Sequence, residues 1–114
     1  MQTRRLGRTG LEVPVVCVGT SPLGGIPEIY GYDVTVEAAV ATVLRALDGP
    51  LTFLDTSNGY RDAERRIGLA LRERGGLPDG AVLATKVDPA PDDPEFSGQR
   101  VRTSVRESLE RLGV

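Results

Sequence analysis

One pattern limits the folds open to this chain: short apolar segments alternate with amphipathic helical segments. The apolar runs begin near positions 15, 52 and 82, and helical spacing of apolar residues follows each of them. Strands that alternate with such helices form right-handed βαβ units around a parallel sheet. The runs are apolar at odd and even positions, as in parallel strands covered on both faces. The pattern predicts an α/β fold with three βα units.

The spacing of the units favours a barrel. A (β/α)₈ barrel of about 250 residues allots about 31 residues to each unit, so three units make about three eighths of it. The competing fold, a flavodoxin-like sheet, uses about five strands. The segments 4–6 and 11–13, around Gly7 and Gly10, predict a β-hairpin ahead of the first unit. In a barrel, residues 1–114 would be the N-terminal portion of a (β/α)₈ TIM barrel with the fourth strand onward absent, and in either fold a sheet edge is exposed.

Three amphipathic segments predict the helices and their buried faces. Thr35 or Asp33 is expected to cap the first helix. Gly75 is expected to end the second, and Ser97 and Gly113 to bound the third. The residues predicted to face the core are Val36, Val40, Val43, Leu44 and Leu47 in the first helix, Ile67, Ala70, Leu71 and the stem of Arg74 in the second, and Val101, Val105, Leu109 and Leu112 in the third.

The composition excludes several classes of partner. The net charge is −2 and the arginines are scattered, so nothing favours nucleic acid or an anionic membrane surface. No apolar run approaches the roughly 18 residues of a membrane span. The chain has no histidine and one cysteine, which argues against a metal site and against a Cys-His or Ser-His pair. Cys17 is expected to be a small buried hydrophobe in the first strand. A single cysteine forms no internal disulfide, which indicates a reducing, cytoplasmic location.

Two charged residues fall within or directly after the apolar segments. Asp55 ends "LTFLD", and Lys86, the only lysine, lies in "VLATKVD". A buried charge is costly unless it is paired. If the two strands are neighbours, the side chains meet at the carboxyl ends of the strands, where α/β folds bind ligands. Tyr60 reaches the same region from the loop after Asp55.

These three residues suggest proton-transfer chemistry. A neighbouring cation favours the phenolate form of a tyrosine, so Lys86 would make Tyr60 a better proton donor near neutral pH. The trio could then protonate a carbonyl oxygen as hydride arrives at its carbon. A structural interpretation is equally open, in which Asp55 caps a loop, Lys86 balances its charge and Tyr60 is a surface aromatic. Asn58, followed by Gly59, is interpreted as a turn residue or a substrate contact.

Taken together, these segments resemble the N-terminal part of the aldo-keto reductases. The matching stretches are "RRLGRTGLEVPVVCVGT", "FLDTSNGY", "ERRIGLAL" and "VLATKVD", and the resemblance covers essentially the whole chain. It implies a (β/α)₈ barrel that uses NADP(H) or NAD(H) without a Rossmann motif. Neither G-x-G-x-x-G nor G-x-x-x-x-G-K-[ST] occurs here, which agrees with that implication. Within the family, the chain is most similar to bacterial members such as aldose or pyridoxal dehydrogenases.

The resemblance assigns roles to the three residues. Asp55, Tyr60 and Lys86 match three members of the family's catalytic tetrad. In that tetrad the tyrosine is the general acid, the lysine lowers the pKa of the tyrosine, and the aspartate pairs with the lysine. The fourth member is a histidine at the end of the fourth strand, and the chain has no histidine.

The resemblance also implies cofactor contacts. Gly19 and Thr20 match a Gly-Thr pair near the nicotinamide ribose, Ser21 comes next, and Asp55 lies beside the nicotinamide. From the residues alone, Gly24 and Gly25 are interpreted as flexible loop positions in preference to a phosphate cradle. The stretch "PDDPE" at 91–95 is interpreted as a solvated acidic loop in preference to a cation site.

The sequence therefore predicts an NAD(P)-dependent oxidoreductase that transfers a hydride between nicotinamide and a small-molecule carbonyl or sugar substrate. The alternative is a non-catalytic α/β fragment or binding module that retains the motif. The 114-residue piece alone is expected to be inactive and to associate with itself through its open sheet edge.

Overall fold

The structure is a computed structural model that describes residues 1–90 and 94–114. The prediction of a solvated loop at 91–95 lies mainly outside these ranges. Of the helices within them, none has the length and apolarity required to cross a bilayer. The elements in chain order are β1 (Thr3–Arg5), β2 (Glu12–Pro14), β3 (Val18–Gly19), a 3₁₀ turn (Ser21–Gly24), α1 (Pro27–Tyr30), α2 (Val36–Leu47), β4 (Phe53–Asp55), α3 (Ala63–Arg74), β5 (Val82–Ala84) and α4 (Gly98–Leu112).

The sheet at the centre of the structure is parallel and has the order β3-β4-β5. Gly19 of β3 pairs with Asp55 of β4, and Asp55 pairs with Ala84 of β5. A doubly wound sheet reverses its strand order near the first strand, whereas a barrel does not. The predicted parallel sheet is confirmed, and its strands follow the order that a barrel requires.

The N-terminal hairpin is also confirmed, displaced by one residue from the predicted segments. β1 and β2 pair antiparallel, with Thr3 opposite Pro14 and Arg5 opposite Glu12. Gly10, in the connecting loop, has φ 82°, in the left-handed region that glycine adopts without steric cost.

Helices α2 and α3 cover one face of the sheet. Thr35 caps α2 by accepting a hydrogen bond from the Ala38 N–H, and Gly75 ends α3 in a left-handed conformation, as predicted. Val36, the first residue of α2, is exposed, which contradicts its predicted core position. The buried core consists of Leu23, Ala39, Val43, Ala46, Leu47, Leu54, Ile67, Ala70, Leu71 and Leu112.

The other face of the sheet is open, which corrects the prediction of strands covered on both faces. Leu54 is completely buried, whereas its neighbours Phe53 and Asp55 point the other way and are half-buried. Cys17, predicted to be buried in the first strand, is exposed and precedes β3. The strand is short because the chain before it belongs to the hairpin, where the Val15 N–H donates to the Gln2 carbonyl.

Helix α4 presents a different face to the core from the predicted one. Val101, Val105 and Leu109 are 39–46% exposed, whereas Ser104 and Ser108 are buried. The reason is the close approach of α4 to α3, which favours small side chains on the contact face. The apolar residues Val105 and Leu109 instead line an open cavity of about 260 Å³ next to β5. The cavity lies along β5, which pairs with no further strand among the described residues.

Gly24 and Gly25, interpreted from the sequence as flexible loop positions, lie in a long connection after β3 that contains the 3₁₀ turn and α1. Arg66 of α3 fixes this connection. Its guanidinium donates to the Leu23 carbonyl at 2.8 Å and to the Val34 carbonyl at 2.6 Å. The connection therefore lies at a defined position beside the carboxyl ends of the strands.

Candidate active site

The neighbouring strands β4 and β5 bring Asp55 and Lys86 together at their carboxyl ends. The Lys86 Nζ lies 2.6 Å from the Asp55 carboxylate and donates to the Thr56 carbonyl at 2.9 Å. The Lys86 and Asp55 side chains are 45% and 36% exposed. Pairs this accessible contribute about 0–1 kcal/mol to stability. The pair therefore contributes little to the stability of the fold. Its main effect is to hold a positive charge at the carboxyl ends of the strands.

Tyr60 lies over this charge. The Lys86 Nζ is 4.9 Å from the centroid of the Tyr60 ring, within the range of a cation–π contact. Tyr60 ends a turn that begins at Ser57, closed by a hydrogen bond from the Tyr60 N–H to the Ser57 carbonyl at 3.1 Å. The structure thus brings together the three residues predicted to be catalytic.

The environment of Lys86 keeps its ammonium charged. Partial burial acts to lower its pKa, but the hydrogen bond to the Asp55 carboxylate and the contact with Tyr60 outweigh this effect and raise the pKa above its ordinary value. At neutral pH, Lys86 therefore presents a full positive charge to Tyr60.

The predicted cofactor-binding residues lie beside this site. A Cβ built on Gly19 would have no heavy atom within 4 Å, so open space lies next to Asp55, its partner in the sheet. Thr20 is completely buried, and its N–H and hydroxyl both donate to the Asp55 carbonyl, at 3.0 and 2.9 Å. The Ser21 hydroxyl accepts a hydrogen bond from Tyr30 at 2.7 Å. These bonds give Thr20 and Ser21 structural roles, and their contacts with a cofactor stay predictions.

Neither a metal cluster nor a reactive thiol is evident at this site. Across residues 1–90 and 94–114, no group of three or more His, Cys, Asp or Glu side chains could hold a metal ion. Desolvation raises the pKa of the Cys17 thiol, and the charge of Asp55 raises it further, although Lys86 opposes both effects. Cys17 is therefore mainly a neutral thiol at pH 7, which is a poor nucleophile.

A buried polar network beneath the site was missed by sequence reasoning. The Glu64 side chain is only 1% exposed, accepts a hydrogen bond from the Thr85 hydroxyl at 2.6 Å and pairs with Arg111 at 3.4 Å. Arg100 pairs with Glu107 at 3.0 Å. The sequence does contain a sign of this network. Polar residues recur at helical spacing on a second face of α4, at positions 100, 104, 107, 108 and 111.

Asn58 connects this network to the turn that carries Tyr60. Its side chain donates to Glu107 at 3.1 Å and accepts from Arg100 at 3.2 Å. Its backbone carbonyl accepts a hydrogen bond from Arg111 at 3.3 Å. Of the two interpretations made from the sequence, the structure shows the turn role, with the side chain bonded to α4.

The connection after β3 touches the Tyr60 turn at Gly24. A Cβ at this position would lie 2.2 Å from the Tyr60 carbonyl oxygen, closer than any real contact. We therefore expect Gly24→Ala to displace Tyr60 from Lys86, which a crystal structure of the variant would show as a longer Nζ-to-ring distance. Gly49→Ala is the matched control, because its Cβ would meet nothing closer than 3.4 Å. An unmoved Tyr60 in Gly24→Ala would contradict the prediction.

The comparisons with known proteins identify the class to which this site belongs. The aspartate–lysine pair and the tyrosine lie at the carboxyl ends of the parallel strands, where α/β folds bind ligands. The sequence matches the aldo/keto reductase family over residues 15–114, and the chain belongs to that family. The family resemblance inferred from the motifs is confirmed.

Three similar proteins show how much of the fold the chain represents. L-galactose dehydrogenase of Arabidopsis thaliana is 39% identical over 98% of this chain and 34% of its own length. Pyridoxal 4-dehydrogenase of Microbacterium luteolum is 37% identical over 75% of this chain and 24% of its own length. The holo form of an aldo-keto reductase from Bacillus halodurans superimposes with a TM-score of 0.77 at 25% identity, over all of this chain and 37% of the other.

The chain thus spans about a quarter to a third of the length of these two dehydrogenases. The predicted fold class is confirmed, since the structural neighbours are (β/α)₈ barrels of which this chain corresponds to the hairpin and three βα units.

Proposed function

We propose that this chain carries the proton-transfer residues of an NAD(P)-dependent oxidoreductase that interconverts a carbonyl compound and its alcohol. The observation that supports the proposal is the contact of Lys86 with both Asp55, at 2.6 Å, and the Tyr60 ring, at 4.9 Å from its centroid. An ion pair with a purely structural role would not require a tyrosine over the ammonium at the accessible carboxyl ends of the strands.

The residues present fit a nicotinamide. Gly19 leaves open space beside Asp55, at the end of the sheet where α/β folds bind ligands. Gly19, Ser21 and Asp55 would contact the nicotinamide and its ribose, and Thr20, which is completely buried, would support them through its hydrogen bonds to the Asp55 carbonyl. When bound, the cofactor supplies or accepts a hydride at the carbon of the substrate.

The residues of this chain would donate and accept the proton that accompanies hydride transfer. In the reducing direction, the Tyr60 hydroxyl donates its proton to the carbonyl oxygen as the carbonyl carbon gains hydride, so the products are an alcohol and a phenolate. The Lys86 ammonium stabilises that phenolate, because an opposite charge favours the ionised form. Asp55 holds Lys86 in place. In the oxidising direction, the phenolate accepts the proton of the alcohol hydroxyl.

The names of the relatives guide the choice of substrate. L-galactose dehydrogenase and pyridoxal 4-dehydrogenase are named for a sugar and for an aromatic aldehyde. We propose a small-molecule carbonyl or sugar substrate for this chain, and a cytoplasmic location that rests on its single cysteine.

The proposal is tested with the completed barrel, by which we mean residues 1–114 continued through the remaining βα units. The continuation comes from the downstream coding sequence or, failing that, from the C-terminal part of L-galactose dehydrogenase. We expect the completed barrel to reduce simple aldehydes with NADPH or NADH, or to oxidise the hemiacetal hydroxyl of L-galactose or pyridoxal with NADP⁺ or NAD⁺. Absence of turnover with every pair would overturn the proposal in favour of a non-catalytic α/β module.

The 114-residue chain is the matched control for that assay. We expect it to show no turnover, because most of the contacts that orient the cofactor would be lost and orientation is a large part of catalysis. Its open β5 edge and the exposed Val105 and Leu109 should make it associate with itself, which sizing at several concentrations would show. Turnover by a stable monomer would contradict both expectations.

A further inference from the structure

Asp88, in the connection after β5, contacts the turn that carries Tyr60. Its carboxylate accepts a hydrogen bond from the Ser57 hydroxyl and another from the Gly59 N–H, the latter at 2.9 Å. The Ser57 hydroxyl oxygen also accepts from the Gly59 N–H at 3.2 Å. One carboxylate thus binds two of the three residues that precede Tyr60.

The Asp88 carboxylate lies directly against the backbone of the turn. A Cβ at Gly59 would lie 2.8 Å from the Asp88 carboxyl carbon and 2.9 Å from its Oδ2. Ser57 is 1% exposed, so its hydroxyl has little access to water as an alternative partner. Asp88 is therefore packed against the turn as well as hydrogen-bonded to it.

Asp88 is itself fixed to α4. Its backbone carbonyl accepts a hydrogen bond from the Arg100 Nε at 2.9 Å, and the Arg100 side chain is only 10% exposed. Arg100 also bonds the Asn58 side chain and Glu107. The Tyr60 turn is thus joined to a helix through Asp88 on one side and Asn58 on the other.

We propose that Asp88 is a positioning residue for Tyr60. Asp88 bonds Ser57 and Gly59 and acts on the proton donor only through the backbone of the turn. A general acid must lie within hydrogen-bond reach of the atom that it protonates, and a misplacement of about 1 Å can reduce the rate about 10²-fold. The inference rests on the proposed role of Tyr60 and adds to it the residue that sets the position of the hydroxyl.

The experiment compares Asp88→Ala with Asp88→Asn in the completed barrel. Alanine removes the acceptor, whereas asparagine keeps a carbonyl oxygen of similar position. We expect Asp88→Ala to lower kcat about 10²-fold with KM little changed, and to alter the pH profile of kcat because Tyr60 moves away from Lys86. Asp88→Asn should restore most of kcat. Thr35→Ala is the matched control, because it removes a side-chain hydrogen bond at the α2 cap, away from the Tyr60 turn.

Three kinetic results would overturn the proposal. The first is an Asp88→Ala variant that keeps its kcat, and the second is an equal loss of kcat in Thr35→Ala, which would indicate a general effect of stability. If Asp88→Ala does not fold, Ser57→Ala removes one hydrogen bond and leaves the carboxylate, and we expect about a tenfold loss of kcat with KM retained. The third result that would overturn the proposal is a Ser57→Ala variant with full activity.

A structural measurement separates this proposal from the proposed function. Crystal structures of the wild-type and Asp88→Ala completed barrels give the distance from the Lys86 Nζ to the Tyr60 ring without any assay. A longer distance in the variant supports the positioning role even if no substrate turns over, whereas an unchanged distance contradicts it even if the wild type is active.

Discussion

Tyr60→Phe in the completed barrel is expected to lower kcat for carbonyl reduction by about 10² or more, the usual scale for the loss of a general acid. The substitution removes only the hydroxyl, so the ring still packs over Lys86, whose Nζ lies 4.9 Å from the ring centroid. Binding of the cofactor should change little, because Gly19 and Asp55 are retained. The measurement is steady-state turnover together with titration of the cofactor.

Tyr32→Phe is the matched control for that variant. Tyr32 is 55% exposed and contacts Tyr30 through its ring, with centroids 6.2 Å apart. Loss of its hydroxyl should leave turnover unchanged. Near-native turnover of Tyr60→Phe would remove Tyr60 from the role of proton donor and would favour the structural interpretation of the Asp55–Lys86 pair.

Gly68→Ala should destabilise the completed barrel by about 3 kcal/mol, at the upper end of the usual cost of overpacking. A Cβ on Gly68 of α3 would lie 2.1 Å from the Arg111 carbonyl oxygen of α4, so one helix must move away from the other. Because the obstacle is backbone, a change of rotamer cannot relieve it. Denaturant unfolding should show the loss, and Tm should fall by about 2–4 °C for each kcal/mol.

Gly98→Ala is the matched control, because the same substitution at this position is expected to raise stability. Gly98 is the first residue of α4, and its added Cβ would meet only the flexible Arg102 side chain at 3.6 Å. Alanine is favoured over glycine in the middle of helices by about 0.5–1 kcal/mol, and a smaller gain is expected at the first helical position. Equal stabilities of Gly68→Ala and the wild type would mean that α3 and α4 do not approach as closely as described.

The principal pair of the site could be predicted because it depends on features that are local in sequence. Asp55 ends one apolar strand and Lys86 closely follows the next, and consecutive parallel strands place their carboxyl ends at one edge of the sheet. The three-residue pairing of Phe53–Asp55 with Val82–Ala84 then brings the two side chains together. The catalytic roles came from the family resemblance, since the residues alone left a structural interpretation open.

The predictions that failed concern which face of an element is covered. Val101, Val105 and Leu109 form an apolar stripe at helical spacing, yet they are exposed, and Ser104 and Ser108 are buried. Periodicity finds an apolar face, but it does not say which neighbouring element lies against that face. In this chain α4 packs on α3 through its small and polar side.

The strand–helix order, the helix caps and the edge of the sheet that carries Asp55 and Lys86 all follow from patterns within the sequence, because each depends on residues close together in the chain. The contacts that hold Tyr60 depend on tertiary structure. Asp88 bonds Ser57 across 31 positions, and Arg100 bonds Asn58 across 42. Such bonds form only after α4 packs against α3 and the connections after β4 and β5 meet. A polar residue in a loop or on a helix carries no local signal of which distant partner it will reach.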